Sequence, residues 1–244
     1  MIMFENTFLK FSTTIAECTE QPIPINKMSD LAFFYPLTYT TSDIVDIDGD
    51  YLASFLLPPE QFYDGTTWFY IRYDGNVPDA AKNAQCFRIR VVSAGANYYS
   101  QPFTFTENIT DTSYLLYYSI KQVFGFPYDD DTYANRIRLP LKIEKPKFPQ
   151  QDEIYIDAMG VRRLLTSRVD KEYTLETDYL SVEMHEKIIV ALSHNFVFIN
   201  DEQLQRSGAY EIDYENELLS DCGEKLYKGT ARMARNTTLL NLNC

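Results

Sequence analysis

The chain has little from which a metal or redox centre is usually built. Two histidines, one tryptophan and four cysteines stand in 244 residues. Cys18, Cys86, Cys222 and Cys244 form no C-x-x-C pair and have no histidine at zinc spacing, so four reduced thiols and no metal are expected. Nine glycines and eleven prolines fall below the usual share, which excludes a low-complexity chain. No apolar run reaches the roughly eighteen residues of a transmembrane helix. The opening MIMFENTFLKFSTT places Glu5 and Lys10 where a secretory signal needs an unbroken apolar stretch, so folding in a cytoplasm is expected. Catalytic signatures are missing as well: no G-x-S-x-G, no P-loop and no G-x-G-x-x-G occurs, and neither an enzyme nor a cofactor is expected.

Positive charge is also short. Lys and Arg number 22 against 35 Asp and Glu, a net of −13 that both halves share almost evenly. A nucleic-acid surface needs clustered cations to offset phosphate, so sequence-specific nucleic-acid binding is not expected. What the chain does have is aromatic residues, 19 Tyr and 16 Phe. Such residues suit a pleated, half-buried surface, and the composition leans to β structure.

Short aromatic and β-branched runs fill the first half. Ile44-Val45-Asp46-Ile47 leads through Asp48-Gly49 into Tyr51–Leu57, which reads as a hairpin with two positive-φ residues in its turn. Trp68–Tyr73 runs into a similar turn at Asp74-Gly75-Asn76. Cys86–Val92 alternates, with Phe87, Ile89 and Val91 on one face and Arg88 and Arg90 on the other. Pro102–Thr106, Ser113–Ser119 and Arg136–Ile143 follow, the last at a sheet edge because Pro140 cannot donate to a ladder. The reading is mainly β: a β-sandwich-like domain over 1–144, a Pro-rich linker at 145–151, and a smaller β-rich domain with one α-helix over 152–244. Pro146 and Pro149 make the linker an extended spacer.

In the second domain, Ile154–Ile156, a turn at Asp157–Gly160 and Val161–Tyr173 read as a hairpin with an extended second arm. Ser181–Ser193 reads as the helix. Its stripe is Val182, His185, Ile188, Ile189 and Leu192, and Asp178 or Ser181 supplies the cap. Phe196–Ile199 is a strand. Glu211, Asp213, Glu215 and Glu217 share one strand face, and Lys225, Lys228, Arg232 and Arg235 follow; a hairpin between the two segments offsets both rows.

Three clusters imitate metal sites and fail on spacing. With Gly49 sixth in a calcium loop, Ile44 and Phe55 fall where carboxylates are needed, leaving Asp46, Asp48 and Asp50 as turn residues. Asp129-Asp130-Asp131 read as a solvated loop. His185-Glu186 begins a zincin motif whose second histidine position holds Ile189. An aromatic surface is the better candidate. Adjacent residues of a strand point to opposite faces, so one member of Tyr98-Tyr99 and of Tyr117-Tyr118 should look outward, with Trp68 nearby. Tyr98, Tyr99 and Tyr117 are therefore expected at an interface, together with the apolar run Leu239, Leu240 and Leu242, which suits strand addition to a neighbour.

Lys171-Glu172-Tyr173, Glu176-Thr177-Asp178-Tyr179, His185–Ile188 running into Val190–Ser193, Tyr210–Tyr214 and Cys222-Gly223 carry a family likeness. In these words the chain from about Ile154 onward resembles virion structural proteins of tailed bacteriophages of Bacteroidetes, crAss-like phages in particular. The first domain carries no matching words. The resemblance implies a non-enzymatic ring, connector or hub component of the tail, made in the host bacterial cytoplasm and located in the virion. Its partners would be copies of itself in a ring-like homo-oligomer and other tail or neck proteins, with no membrane. The alternative is a carbohydrate- or receptor-binding β-sandwich borne on the virion as an adhesin.

Overall fold

The computed structural model describes residues 9, 11–15, 21–35, 41–55, 60–63, 69–119, 134–220 and 223–235. They form three larger sheets and one separate two-stranded hairpin, so the chain is mostly β. The first sheet is built round Phe87–Ser93. One side of that strand pairs with Thr41–Asp46, and the other is shared by Ala96–Ser100 and Phe103–Phe105. Phe87, Ile89 and Val91 point into the core, as the alternation requires. Arg90 turns the other way and meets Asp43, its register partner, at 2.8 Å. Arg88 shares that side but is buried, its Nη1 donating to Ser100 O at 2.7 Å.

The Asp-Gly hairpin joins Thr41–Asp46 to Tyr51–Ser54, with a bulge between Ile44 and Val45. Gly49 takes φ +98°, while no other residue of this turn is in the left-handed region. The turn is longer than the sequence predicts because Asp46 Oδ1 accepts the backbone N–H of both Asp48 (3.0 Å) and Asp50 (2.8 Å). One carboxylate thereby organises the loop.

The second sheet is antiparallel throughout. Its order is Glu202–Gln203, Phe196–Ile199, Ser113–Tyr118, Asn135–Leu139, Ala32–Tyr35, Phe69–Arg72 and Glu60–Tyr63. Two features differ from the sequence reading. Arg136–Ile143 is not one edge strand: Asn135–Leu139 lies inside this sheet, and Leu141–Ile143 belongs to the third. Pro140 sits where the chain leaves one ladder for the other, a place where a missing N–H costs nothing. Phe196–Ile199, from beyond the expected linker, pairs with Ser113–Tyr118 from before it.

The third sheet centres on Lys225–Arg235. On one side it pairs with Lys171–Thr177 and Leu180–Ser181, and on the other with Gln205–Leu219. The proline segment is extended, as predicted, but it is hydrogen-bonded rather than a free spacer. Lys147 and Glu172 exchange both backbone hydrogen bonds (2.7 and 2.9 Å), and Asp170 N donates to Pro149 O at 3.2 Å. One hydrophobic cluster draws Ile23, Phe103 and Leu115 from before this segment and Leu175, Val197 and Met233 from after it. Cutting the backbone at Lys145–Lys147 should therefore give fragments that co-elute under native conditions and separate in denaturant. Independent elution of two folded pieces would show that the shared ladder does not hold them.

Val182–Ala191 is helical, and the Ser181 hydroxyl accepts the Met184 N–H at 3.3 Å as its cap. His185, Ile188 and Leu192 are buried as predicted. Val182 is exposed and Ala191 is buried, so the apolar stripe is rotated slightly from its sequence position. The short helix Asp79–Asn83 has too few residues to show a period and was not legible in the sequence. No helix among the described residues is long and apolar enough to cross a membrane.

Candidate interaction surface

Gln150–Ile156 and Arg162–Val169 pair with each other and with no other strand among the described residues. Asp157 builds the turn of this arm. Its Oδ1 accepts the N–H of Met159 (2.9 Å) and Val161 (3.0 Å), and Oδ2 meets Arg163 Nε at 3.2 Å. The Val161 N–H foremost holds the Asp157 carboxyl below its ordinary pKa. Gly160 completes the turn at φ +76°.

Residues directly opposite in a ladder share a face. Ile154 with Leu164, and Ile156 with Arg162, therefore lie on one face; Tyr155 and Arg163 lie on the other. Ile154, Ile156 and Leu164 are 53%, 56% and 53% exposed, and Met159 in the turn is 83% exposed. A two-stranded hairpin is marginal in water without something packed on it. Contiguous apolar exposure of this kind marks an interaction surface. Sequence reasoning found the hairpin but missed its exposure. The available signal was Ile154-Tyr155-Ile156, three large apolar residues in a row, which leaves neither face of a strand polar.

The second hairpin joins Gln205–Leu219 to Lys225–Arg235, and the two charge rows meet in part: Glu211 faces Thr230 and Arg235 reaches Glu202 instead. Asp213 is opposite Lys228, and Lys225 Nζ reaches Glu217 at 2.8 Å, a contact that raises the lysine pKa. The ladder loses register between Asp213 and Leu218. There Asp213 turns to its own strand, accepting Asn216 Nδ2 at 2.7 Å and Glu215 N at 3.1 Å, and the Asn216 amide foremost lowers its pKa. Tyr214, Leu218 and Leu219 are exposed near the end of this hairpin. The outer edge of Gln205–Leu219 has no strand partner among the described residues.

Tyr117 is a correction. It is 1% exposed, with its ring edge-on to His194 at 4.8 Å between centroids, so it fills the core and not an interface. The alternation holds, but the outward residue is Tyr118, stacked on Phe196 at 4.8 Å and Phe198 at 6.2 Å. Tyr98 and Tyr99 are half-buried in Ala96–Ser100. Leu239, Leu240, Leu242, Trp68 and Asp129–Asp131 lie outside the described residues.

His185 has a structural role. Its Nε2 donates to Tyr227 O at 2.9 Å, which leaves Nδ1 to accept the Tyr210 hydroxyl at 2.6 Å. Burial lowers the His185 pKa and raises that of Tyr210. Burial also lowers the pKa of His194, whose Nδ1 donates to Val190 O at 2.9 Å. Both folded pKa values lie below the unfolded value of about 6.5. Stability is therefore full above about pH 6.5 and declines as the pH falls below it, because the unfolded chain takes protons the folded chain refuses. Denaturant titrations at about pH 7.5 and about pH 5.5 should show this loss, and a smaller loss in His185→Gln. Equal losses in variant and parent would remove His185 from the effect.

A groove of about 620 Å³ opens beside the second hairpin, lined by Lys147, Glu172, Thr174, Glu211, Thr230 and Arg232 among others. Its charges are of both signs, and no histidine or cysteine among the described residues lines it. No group of three or more His, Cys, Asp or Glu able to hold a metal occurs among the described residues. No protein-family model, curated protein or solved structure matches the chain.

Proposed function

We propose that this chain is a non-enzymatic structural component of a tailed-phage virion, built into a ring or hub layer through protein–protein interfaces. The uncovered arm Gln150–Val169 carries the reading: it spends Ile154, Ile156, Met159 and Leu164 on a surface that the core does not use. Such a hairpin gains its stability from a partner. The acidity of the chain keeps free copies apart until specific contacts form. The likeness of the second half to phage virion proteins supports the setting.

Mass spectrometry of purified particles should find the chain in multiple copies per virion. A chain abundant in the lysate and missing from the particles would sink the proposal. Retention of a glycan by the isolated protein on an array would favour the adhesin instead.

A further inference from the structure

We infer that the arm of one copy adds its Arg162–Val169 edge to the Gln205–Leu219 edge of a second copy, joining copies head to tail. This rests on the assembly reading above and names the partner of the uncovered arm. Both strands are sheet edges among the described residues, with one ladder partner each. An edge of that kind presents a row of N–H and C=O groups ready to pair with another chain.

Charge selects the pairing. The arm strand holds Arg162, Arg163 and Arg168 in its sequence, and the receiving strand holds Glu211, Asp213, Glu215 and Glu217. Arm against arm sets arginine against arginine, and acidic edge against acidic edge sets carboxylate against carboxylate. Like charges opposite each other in a ladder repel. The unlike pairing is the favourable one, and it uses a different surface on each copy. Contacts of that type propagate and close into a ring where the rotation permits. Residues 150–169 also balance three acidic against three basic residues, in a chain whose net charge is −13. The arm is thus a segment that can approach another acidic copy without net repulsion.

The faces agree with the charges. The arm has one face with Ile154, Ile156 and Leu164, which Arg162 borders, and a second face with Tyr155 and Arg163. On the receiving strand Ile212 and Tyr214 alternate with the carboxylates, and Leu218 is exposed farther along. Edge addition lets apolar lie beside apolar on one face of the joined sheet and Arg163 beside carboxylate on the other.

The experiment is a reciprocal charge reversal. Arg162→Glu/Arg163→Glu makes the arm acidic, and Glu211→Arg/Glu215→Arg makes the receiving edge basic while sparing the Lys225–Glu217 contact. Sedimentation over a concentration series should show the parent chain assembling and each variant weakened by about tenfold or more. Mixed in equal amounts, the two variants should recover assembly, because each then finds an opposite-charged edge on the other. Circular dichroism melts establish that both variants are folded.

Cysteine trapping gives an independent reading. Arg163→Cys mixed with Glu211→Cys should form disulfide-linked pairs across the two variants, well above the level of either variant alone. A parent chain that assembles indifferently to both reversals, with no cross-trapping, overturns the edge pairing and leaves the structural role standing. A parent chain that neither assembles nor traps also overturns the edge pairing, and absence of the chain from purified particles is the separate result that overturns the structural role.

Discussion

Replacing Ile188 with alanine lowers the stability of the whole chain by about 2–5 kcal/mol and shifts one unfolding transition. Ile188 is 0% exposed on the inner face of the helix Val182–Ala191. Truncation there removes apolar contacts and leaves a cavity that a close-packed interior only partly fills. The effect spreads because the cluster containing Ile188 also contains Leu115 and Ile137, residues of the second sheet from before the proline segment. Phe196–Ile199, which follows the helix by a few residues, hydrogen-bonds directly to Ser113–Tyr118. Loosening the helix therefore loosens an inner strand of that sheet. Calorimetry should show one endotherm, displaced downward in the variant. Two endotherms with the first unmoved would establish two independent cores at the boundary read from the sequence.

The features legible in the sequence were local ones. Phe87, Ile89 and Val91 follow from alternation alone, since a strand with one buried face is specified without knowledge of its neighbours. Ser181 follows from cap chemistry, and the Asp213–Lys228 and Glu217–Lys225 pairs of the second hairpin follow from sign and spacing. What stayed hidden depends on partners far along the chain. Alternation says that one of Tyr117 and Tyr118 faces outward but not which one. That was decided by His194 and Phe196, which arrive from 77 and 78 residues later. Pro140 signals an interrupted ladder, yet an edge and a crossing between sheets produce the same signal. Glycine is a similar case. Gly229 lies where a Cβ would collide with the Tyr210 hydroxyl, and nothing nearby in sequence announces that approach. The arm shows the limit most directly. Its hairpin is written in Asp157–Gly160, but its exposure depends on the absence of any strand laid against it among the described residues.

Replacing Asp30 with alanine should cost about 3–5 kcal/mol, the range for removing one partner of a buried ion pair. Asp30 ends the short 3-10 turn Met28–Asp30, where the chain passes from Ile23–Ile25 of the first sheet to Ala32–Tyr35 of the second. Its Oδ2 accepts Arg138 Nε at 2.8 Å and the backbone N–H of Asn26 (3.1 Å) and Lys27 (3.2 Å). One carboxylate thus closes the crossing and ties it to Asn135–Leu139, 108 residues away. Among the described residues, alanine leaves the largely buried Arg138 guanidinium with its Nη1 contact to Thr112 Oγ1 at 3.3 Å alone, and strands two backbone donors. Desolvation of the surviving charge dominates the loss, so the cost reflects the orphaned partner more than the pair's net worth. Arg138→Met tests that account. Alone it should also destabilise, by leaving the carboxylate without its cation. Combined with Asp30→Ala it should cost clearly less than the two single losses added together, because neither charge then remains to be buried. Urea titrations of the four proteins give the coupling directly. Strict additivity, or an Asp30→Ala variant as stable as the parent, would mean that the crossing is held by its apolar neighbours Met28 and Leu31 and not by the carboxylate.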